Sequence, residues 1–246
     1  IMIRAVRISG RQQMPNYRKP ISVIVKETFP LPPYSSVIGL VHTLCGWTGE
    51  NGGYRPMRVS VQGMSAGTVN DYATNYSFGN KKYEAGRHTL AVPNGGDFLG
   101  VSRGPKSYEL LSDVRLTLHI IPQEDFLIEE IAQAFKDPPI YPSLGRYEDL
   151  LQIESVDIVE LKEADEDDEL VNKMDAYLPL ALSYDDASNL MGTVYRLNKV
   201  FEYSPKNKMR VWKETVYARH ITKGVFLQAK EGIYLDSCFG DVVLPI

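Results

Sequence analysis

E-T-F-P-L-P-P-Y-S-S-V-I-G-L-V-H-T-L-C-G, residues Glu27 to Gly46, is the stretch from which the fold is read. Pro30, Pro32 and Pro33 hold the backbone extended, because a proline ring restricts φ and removes the N–H donor. The chain then turns at Tyr34-Ser35-Ser36, where either serine can accept a bond from the first free helical amides. Val37, Leu40, Val41 and Leu44 follow at helical spacing, and Gly46 is a natural stop, so a helix is expected over Ser36–Cys45. A stiff arm therefore delivers the chain to a helix N-terminus, whose exposed amides and dipole favour a phosphate. The plainer reading is a strand-to-helix connection with a serine cap and no ligand.

On the N-terminal side, Ile3–Ile8 alternates around arginines as a strand, with no cleavage-site pattern of a signal peptide. Ser22–Val25 continues or pairs with it. On the C-terminal side, past a glycine-rich patch over Gly46–Pro56, Met57–Met64 alternates Met57, Val59 and Val61 against Arg58, Ser60 and Gln62. Asp113–Ile121 places Val114, Leu116, Leu118 and Ile120 on one face. Glu124–Lys136 is an amphipathic helix with Phe126, Ile128, Ile131 and Phe135 towards the core, and Leu150–Leu161 is a further strand. The order β–α–β–β–α–β is that of a ferredoxin-like α+β fold, shared by RNA-recognition domains. Residues 1–162 are assigned to it, with an outsized insertion at about residues 65–112, too long for a hairpin loop. After the acidic run Glu163–Glu169, residues 176–246 read as a smaller all-β subdomain. It contains a hairpin of Thr193–Ser204 and Met209–Ile221 about the turn Pro205-Lys206-Asn207.

The 246 residues are 43% hydrophobic, enough for a proper core. No run of eighteen apolar residues is present, so no membrane-spanning segment is expected. Cys45 and Cys238 are too few and too distant for a disulfide framework or a thiolate metal site, and they fit a reducing cytoplasm. His42, His88, His119 and His220 lack ligand spacing, so neither a metal nor another cofactor is expected. The net charge of −4 conceals segregation: residues 1–120 carry +7, residues 121–195 carry −15, residues 196–230 carry +7 and the last sixteen −3. A polyanion can therefore meet one surface while the acidic run faces elsewhere.

Three segments combine cations with aromatic rings. The insertion holds Tyr76, Phe78 and Tyr83 among Lys81, Lys82, Arg87, His88, Arg103 and Lys106. Rings of this kind stack on bases at about 1–3 kcal/mol each while the cations track phosphates; a solvated β-ribbon is the alternative. The loop Arg11–Pro20 offers Arg11, Tyr17, Arg18 and Lys19. The C-terminal hairpin offers Tyr195, Arg196, Lys199, Lys206, Lys208, Arg210, Trp212 and Lys213, but a half-buried strand pair shows the same alternation. In Y-P-S-L-G-R-Y-E-D-L, Tyr141–Leu150, Arg146 stands at a turn beside Glu148 and Asp149, its own carboxylate neighbours. Nucleophile-elbow, zincin and Walker motifs are absent, so no catalytic residue is assigned.

F-P-L-P-P-Y-S-S-V-I-G-L-V-H at Phe29–His42 and Y-P-S-L-G-R-Y-E-D-L at Tyr141–Leu150 together resemble the signatures of the CRISPR-associated Cas five proteins, RAMP-type subunits of Cascade complexes. The resemblance is nearest to the type I-B branch and runs along nearly the whole chain. It implies a ferredoxin-like domain whose insertion is a β-hairpin thumb. It further implies a non-catalytic subunit that caps the 5′ handle of CRISPR RNA in antiviral defence. Such a subunit touches the backbone subunit Cas seven and the large subunit Cas eight, near the target DNA. On that reading Arg11, Arg18, Lys19 and Tyr34–Ser36 hold handle phosphates. Tyr76, Lys81, Lys82 and Arg87 clamp displaced bases, and Arg146 braces or touches the handle. One branch of the family instead cuts the repeat without a metal. For that alternative His42, Lys82 and His88 are the nearest offerings here.

Overall fold

The computed structural model describes residues 2–47, 53–183, 191–204 and 209–246. Among these the protein is mostly β, with two α-helices. The elements are β1 (Met2–Gln12), β2 (Val25–Lys26), α1 (Tyr34–Leu44), β3 (Met57–Met64), β4 (Gly67–Lys82), β5 (Leu90–Asn94), β6 (Asp97–Ser112), β7 (Val114–Pro122) and α2 (Leu127–Lys136). There follow β8 (Gln152–Glu163), β9 (Leu170–Val171), β10 (Asp175–Pro179), β11 (Val194–Ser204), β12 (Met209–Ile221), β13 (Phe226–Leu227), β14 (Tyr234–Asp236) and β15 (Val242–Val243). The expected turn at Pro205-Lys206-Asn207 and Lys208 lie outside the described residues.

β3, β7, β1 and β8 lie side by side in that order, all antiparallel: Val61 opposes Leu118, Val6 opposes Ile120 and Ala5 opposes Val159. Strand side chains alternate between faces. Val6, Ile8, Val59, Val61, Leu116, Leu118 and Ile120 therefore share one face, against Val37, Ile38 and Val41 of α1 and Ile128, Ile131 and Phe135 of α2. Phe126, expected in this core, stands at the N-cap of α2 and is exposed; Leu127 takes the buried place. The start of α1 also differs from expectation. Pro33 is its N-cap in an extended conformation, and no serine side chain caps it. The proline carbonyl accepts from Ser36 N (2.9 Å), so Ser35 and Ser36 belong to the first helical turn.

Residues 176–246, expected as a separate subdomain, instead extend both edges of one nine-stranded sheet. β10 pairs with Gln62 and Gly63 at the end of β3, β12 pairs with β10, and β11 with β12; at the opposite edge β14 and β15 follow β8. The hairpin β11–β12 packs onto α1, and its Leu197 and Ala218 join the helical core. The face opposite the helices is closed by the C-terminal segment. Leu244 N donates to Ser60 Oγ (3.0 Å), the Gln62 amide donates to Val242 O, and Val59 and Ile246 exchange main-chain bonds of 3.2 Å.

The insertion is a long ribbon. β4 and β6 pair from Gly67–Ser112 out to Phe78–Val101, β5 adds to the other side of β6, and β2 runs parallel to β6 at Val25–Ser107. Its root is buried through Leu110 and Leu111, while most of its length is exposed.

Candidate nucleic-acid interface

At the start of α1 lies an open cleft of about 350 Å³. Four chain regions far apart in sequence build it. Arg18 comes from the loop after β1, Ser35 and Ser36 from the first turn of α1, and Arg196, Asn198 and Trp212 from the β11–β12 hairpin. Its far wall is Tyr141–Gly145. Both arginines are exposed, and neither enters an ion pair among the described residues. No Asp or Glu is among the residues lining the cleft. The first-turn amide of Ser35 precedes the first intrahelical bond and is left for an outside acceptor, whereas Tyr34 beside it is wholly buried. Two guanidinium groups, two hydroxyls and a helix N-terminus thus converge where no carboxylate competes, and Trp212, 43% exposed, adds a face for stacking.

A second cleft, of about 720 Å³, lies across the Tyr141–Pro142 ridge and contains Arg11 and Arg146. Its charge is balanced by Asp113, Glu148 and Asp149. Arg146 is not free for an external phosphate. Its Nη2 and Nε donate to Asp149 at 2.6 and 3.1 Å, Nη1 pairs with Glu148 at 3.2 Å, and the guanidinium lies over Tyr108. The Asp149 bond, foremost, raises the Arg146 pKa above its ordinary value. Asp149 is buried and also accepts from the main-chain N–H groups of Asn16 (3.0 Å) and Arg146 (2.8 Å). Gln12 donates to the carbonyls of Leu144 and Asp149, both at 2.8 Å. Gly145 has φ +111°, and a Cβ there would stand 2.9 Å from Asn16 O. The S-L-G-R turn is therefore a lock between residues 12–16 and 144–149, and its arginine braces instead of reaching out.

Tyr17 and Tyr34, expected at the RNA surface, are core residues with no ring face open to a ligand. The Tyr17 hydroxyl donates to Gln12 Oε1 at 2.6 Å, and burial pushes both phenols far above their ordinary pKa. Lys19 is held by Glu27 at 3.1 Å, and Arg11 leans on Gln152 at 3.2 Å. On the ribbon, Tyr76 opposes Arg103, and Tyr72, Tyr76 and Phe78 share one exposed face. Lys82 pairs with Asp97 (2.9 Å) and Arg87 with Glu84 (3.1 Å), both on the surface, whereas Lys81 is exposed and Lys106 half-buried. His88 accepts from Glu84 N at 3.0 Å and packs on Gly100, where a Cβ would meet its ring at 2.3 Å. His42 is buried: Nδ1 bonds Ile38 O at 2.9 Å, and Nε2 accepts from Arg55 N at 3.0 Å.

Of three comparisons with known proteins, one finds likenesses, that with solved structures. No protein-family model matches the chain, and no curated protein does. The fold is similar to that of a chain in a solved CRISPR RNA-guided surveillance complex. The TM-score is 0.56 at 18% identity, over 90% of this chain and 91% of that one. Weaker likenesses are to a CRISPR protein from Archaeoglobus fulgidus (TM-score 0.48, 12% identity, 98% of each chain) and to a Cas protein (0.46, 14%, 89% and 95%).

Arg196 and Trp212 stand in the hairpin whose alternation of charge and ring is equally that of a half-buried strand pair, and Asn198 carries no sequence signal of its own. The available signal was the second basic block, residues 196–230. On the closed sheet face, His119, Asp236 and Asp241 have ligand-type atoms within 4.8 Å of one another. Arg7 already bridges the two carboxylates, at 2.9 Å from Asp241 and 3.8 Å from Asp236, and Lys173 stands 3.5 Å from Asp241. Two side-chain cations thus neutralise the cluster, which fits a structural ion network better than a metal centre.

Proposed function

We propose that this chain is a non-catalytic RNA-binding subunit of a CRISPR RNA-guided complex, of the Cas five type. It is built on a ferredoxin-like domain with a thumb and caps the 5′ handle of the guide RNA. The carboxylate-free cleft with Arg18, Arg196 and the α1 N-terminus carries the reading. A phosphate entering it meets two charge-assisted donors and the Ser35 amide. The broad sheet face on which RNA-recognition domains stack bases is covered here by the C-terminal segment, so the RNA path runs along the helix start and the ribbon. Contacts to a backbone subunit along the thumb, and to a large subunit near target DNA, belong to the same proposal. The repeat-cutting alternative gains nothing from His42, whose ring nitrogens are both bonded to the main chain.

The test is anisotropy of labelled single-stranded repeat RNA across a salt series. About four to six phosphate contacts give a log–log slope of about −3 to −4, and R18A/R196A should flatten it by roughly 1.4. Equal affinity and slope for the double variant would remove the cleft from RNA binding. The RNA should remain intact in EDTA; a single discrete cut would favour the nuclease.

A further inference from the structure

β4 is the outer strand of the ribbon, and its far edge meets no other strand among the described residues. The remaining sheet edges carry the devices that usually discourage pairing with another chain. β11 is bulged between Asn198 and Phe201 and bears Arg196, Lys199 and Glu202. β5 contains Pro93, and β2 and β15 are only two residues long. β4 has none of these. It pairs with β6 without a bulge from Gly67 to Phe78, contains no proline, and has Asp71 as its only charge before Lys81. The bonding of β6 fixes which main-chain groups of β4 face the open edge. Val101 O accepts from Thr89 N (2.9 Å) and Arg103 N donates to Thr89 Oγ1 (3.1 Å), so both residues turn their polar groups away from β4. Pairs in an antiparallel ladder alternate between bonded and non-bonded. Their opposites Phe78 and Tyr76, and in the same period Thr74 and Tyr72, therefore present N–H and C=O outward.

We propose that β4 pairs edge to edge, antiparallel, with β4 of a second copy of this chain about a two-fold axis at Thr74. The edge is complementary to itself in that register. Thr74 meets Thr74 of the second copy, Tyr72 meets Tyr76, and Asn70 meets Phe78; on the opposite sheet face Asp71 meets Ser77 and Ala73 meets Asn75. Thr–Thr and aromatic pairs are among those that stabilise sheets, and no charge stands against its like. The outward N–H and C=O groups of Tyr72, Thr74 and Tyr76 all find partners across the axis. A slip of one residue would oppose side chains from different faces. Because the contact is isologous it consumes both open edges, and association stops at two copies. Tyr72, Tyr76 and Phe78 of the two copies then lie on one continuous sheet face. The pairing is a property of the free chain and does not depend on the RNA reading.

Sedimentation velocity of the full chain over a concentration series tests the pairing. One strand pair is a small interface, so a reversible dimer with a dissociation constant on the order of 10 μM is expected. Thr74→Lys and Thr74→Glu each set like charges face to face on the axis and should each weaken the dimer on the order of tenfold. An equimolar mixture of the two sets Lys against Glu and should restore wild-type affinity. Thr74 is exposed, so neither variant should change the melting temperature. Thr74→Pro removes an outward N–H while sparing the bonds to β6, and should be monomeric. R18A/R196A, altered only in the RNA cleft, should dimerise as wild type does. A wild-type chain that stays monomeric up to about 200 μM would overturn the pairing. So would a dimer indifferent to T74K, or a T74K and T74E mixture that associates no better than either variant alone.

Discussion

Replacing Asp149 by Ala should unfold more than it uncouples from RNA. The carboxylate accepts from Asn16 N, Arg146 N and the Arg146 guanidinium, and its side chain is 2% exposed. Removal leaves the buried Asn16 amide without its acceptor, at about 1–3 kcal/mol, and strips the main bond from a guanidinium only 24% exposed. Glu148, at 3.2 Å, still offers that guanidinium a partner near solvent, so the cost falls toward the lower end of the ~3–5 kcal/mol typical of a broken buried pair. At about 2–4 °C per kcal/mol for a chain of this length, 3 kcal/mol means a melting temperature lowered by roughly 6–12 °C. Differential scanning fluorimetry reads it directly. Arg146→Ala should also lower the melting temperature, because it leaves Asp149 buried without its cation, while RNA affinity at a temperature where the variant is folded stays within about threefold. A D149A shift below about 2 °C, or an R146A variant that melts normally but loses RNA, would refute the lock and return Arg146 to the binding surface.

Two further outcomes follow from buried groups. The Tyr34 hydroxyl has no hydrogen-bond partner among the described residues, whereas that of Tyr177, its ring 5.7 Å away, donates to Leu31 O at 2.8 Å. Tyr34→Phe should therefore be neutral or stabilising and Tyr177→Phe should lose about 1 kcal/mol in urea unfolding; the reverse ranking would contradict the placement of both hydroxyls. Burial lowers the His220 pKa below 6.5, although Asp175 at 3.5 Å works against it. The folded protein then holds that proton less well than the unfolded chain. Stability is full above pH 6.5 and falls as the pH drops through the lowered value. His220→Phe should flatten this acid arm in urea titrations between about pH 5 and 7, and an unchanged slope would assign the arm to another group.

What the sequence disclosed and what it withheld divide along a physical line. Periodicity reports the side of an element that meets the core. Met57–Met64 and Met209–Ile221 have the expected bounds, and Val114, Leu116, Leu118 and Ile120 share the expected face. Amphipathicity says less about which partner completes a sheet, because a β-strand looks the same whether it pairs within a small subdomain or at the edge of a large one. Hence β10–β12 read as separate, although β10 hydrogen-bonds to the end of β3. The same blindness affects function. A tyrosine in a loop or at a helix entry reads as a surface group until its neighbours are known, and Gln12 claims the Tyr17 hydroxyl while the core claims the Tyr34 ring. An arginine beside two carboxylates can be pinned or presented, and only the buried position of Asp149 decides that Arg146 is pinned. Charge segregation was the more faithful guide, since a surface potential sums over the fold regardless of pairing. The two flanking basic blocks each contribute one uncompensated guanidinium, Arg18 and Arg196, to a single cleft. The sheet extension that the sequence did not disclose is what carries Arg196 across to Arg18. The cleft exists because β10 ties the C-terminal hairpin to the edge of β3 and swings it over the start of α1.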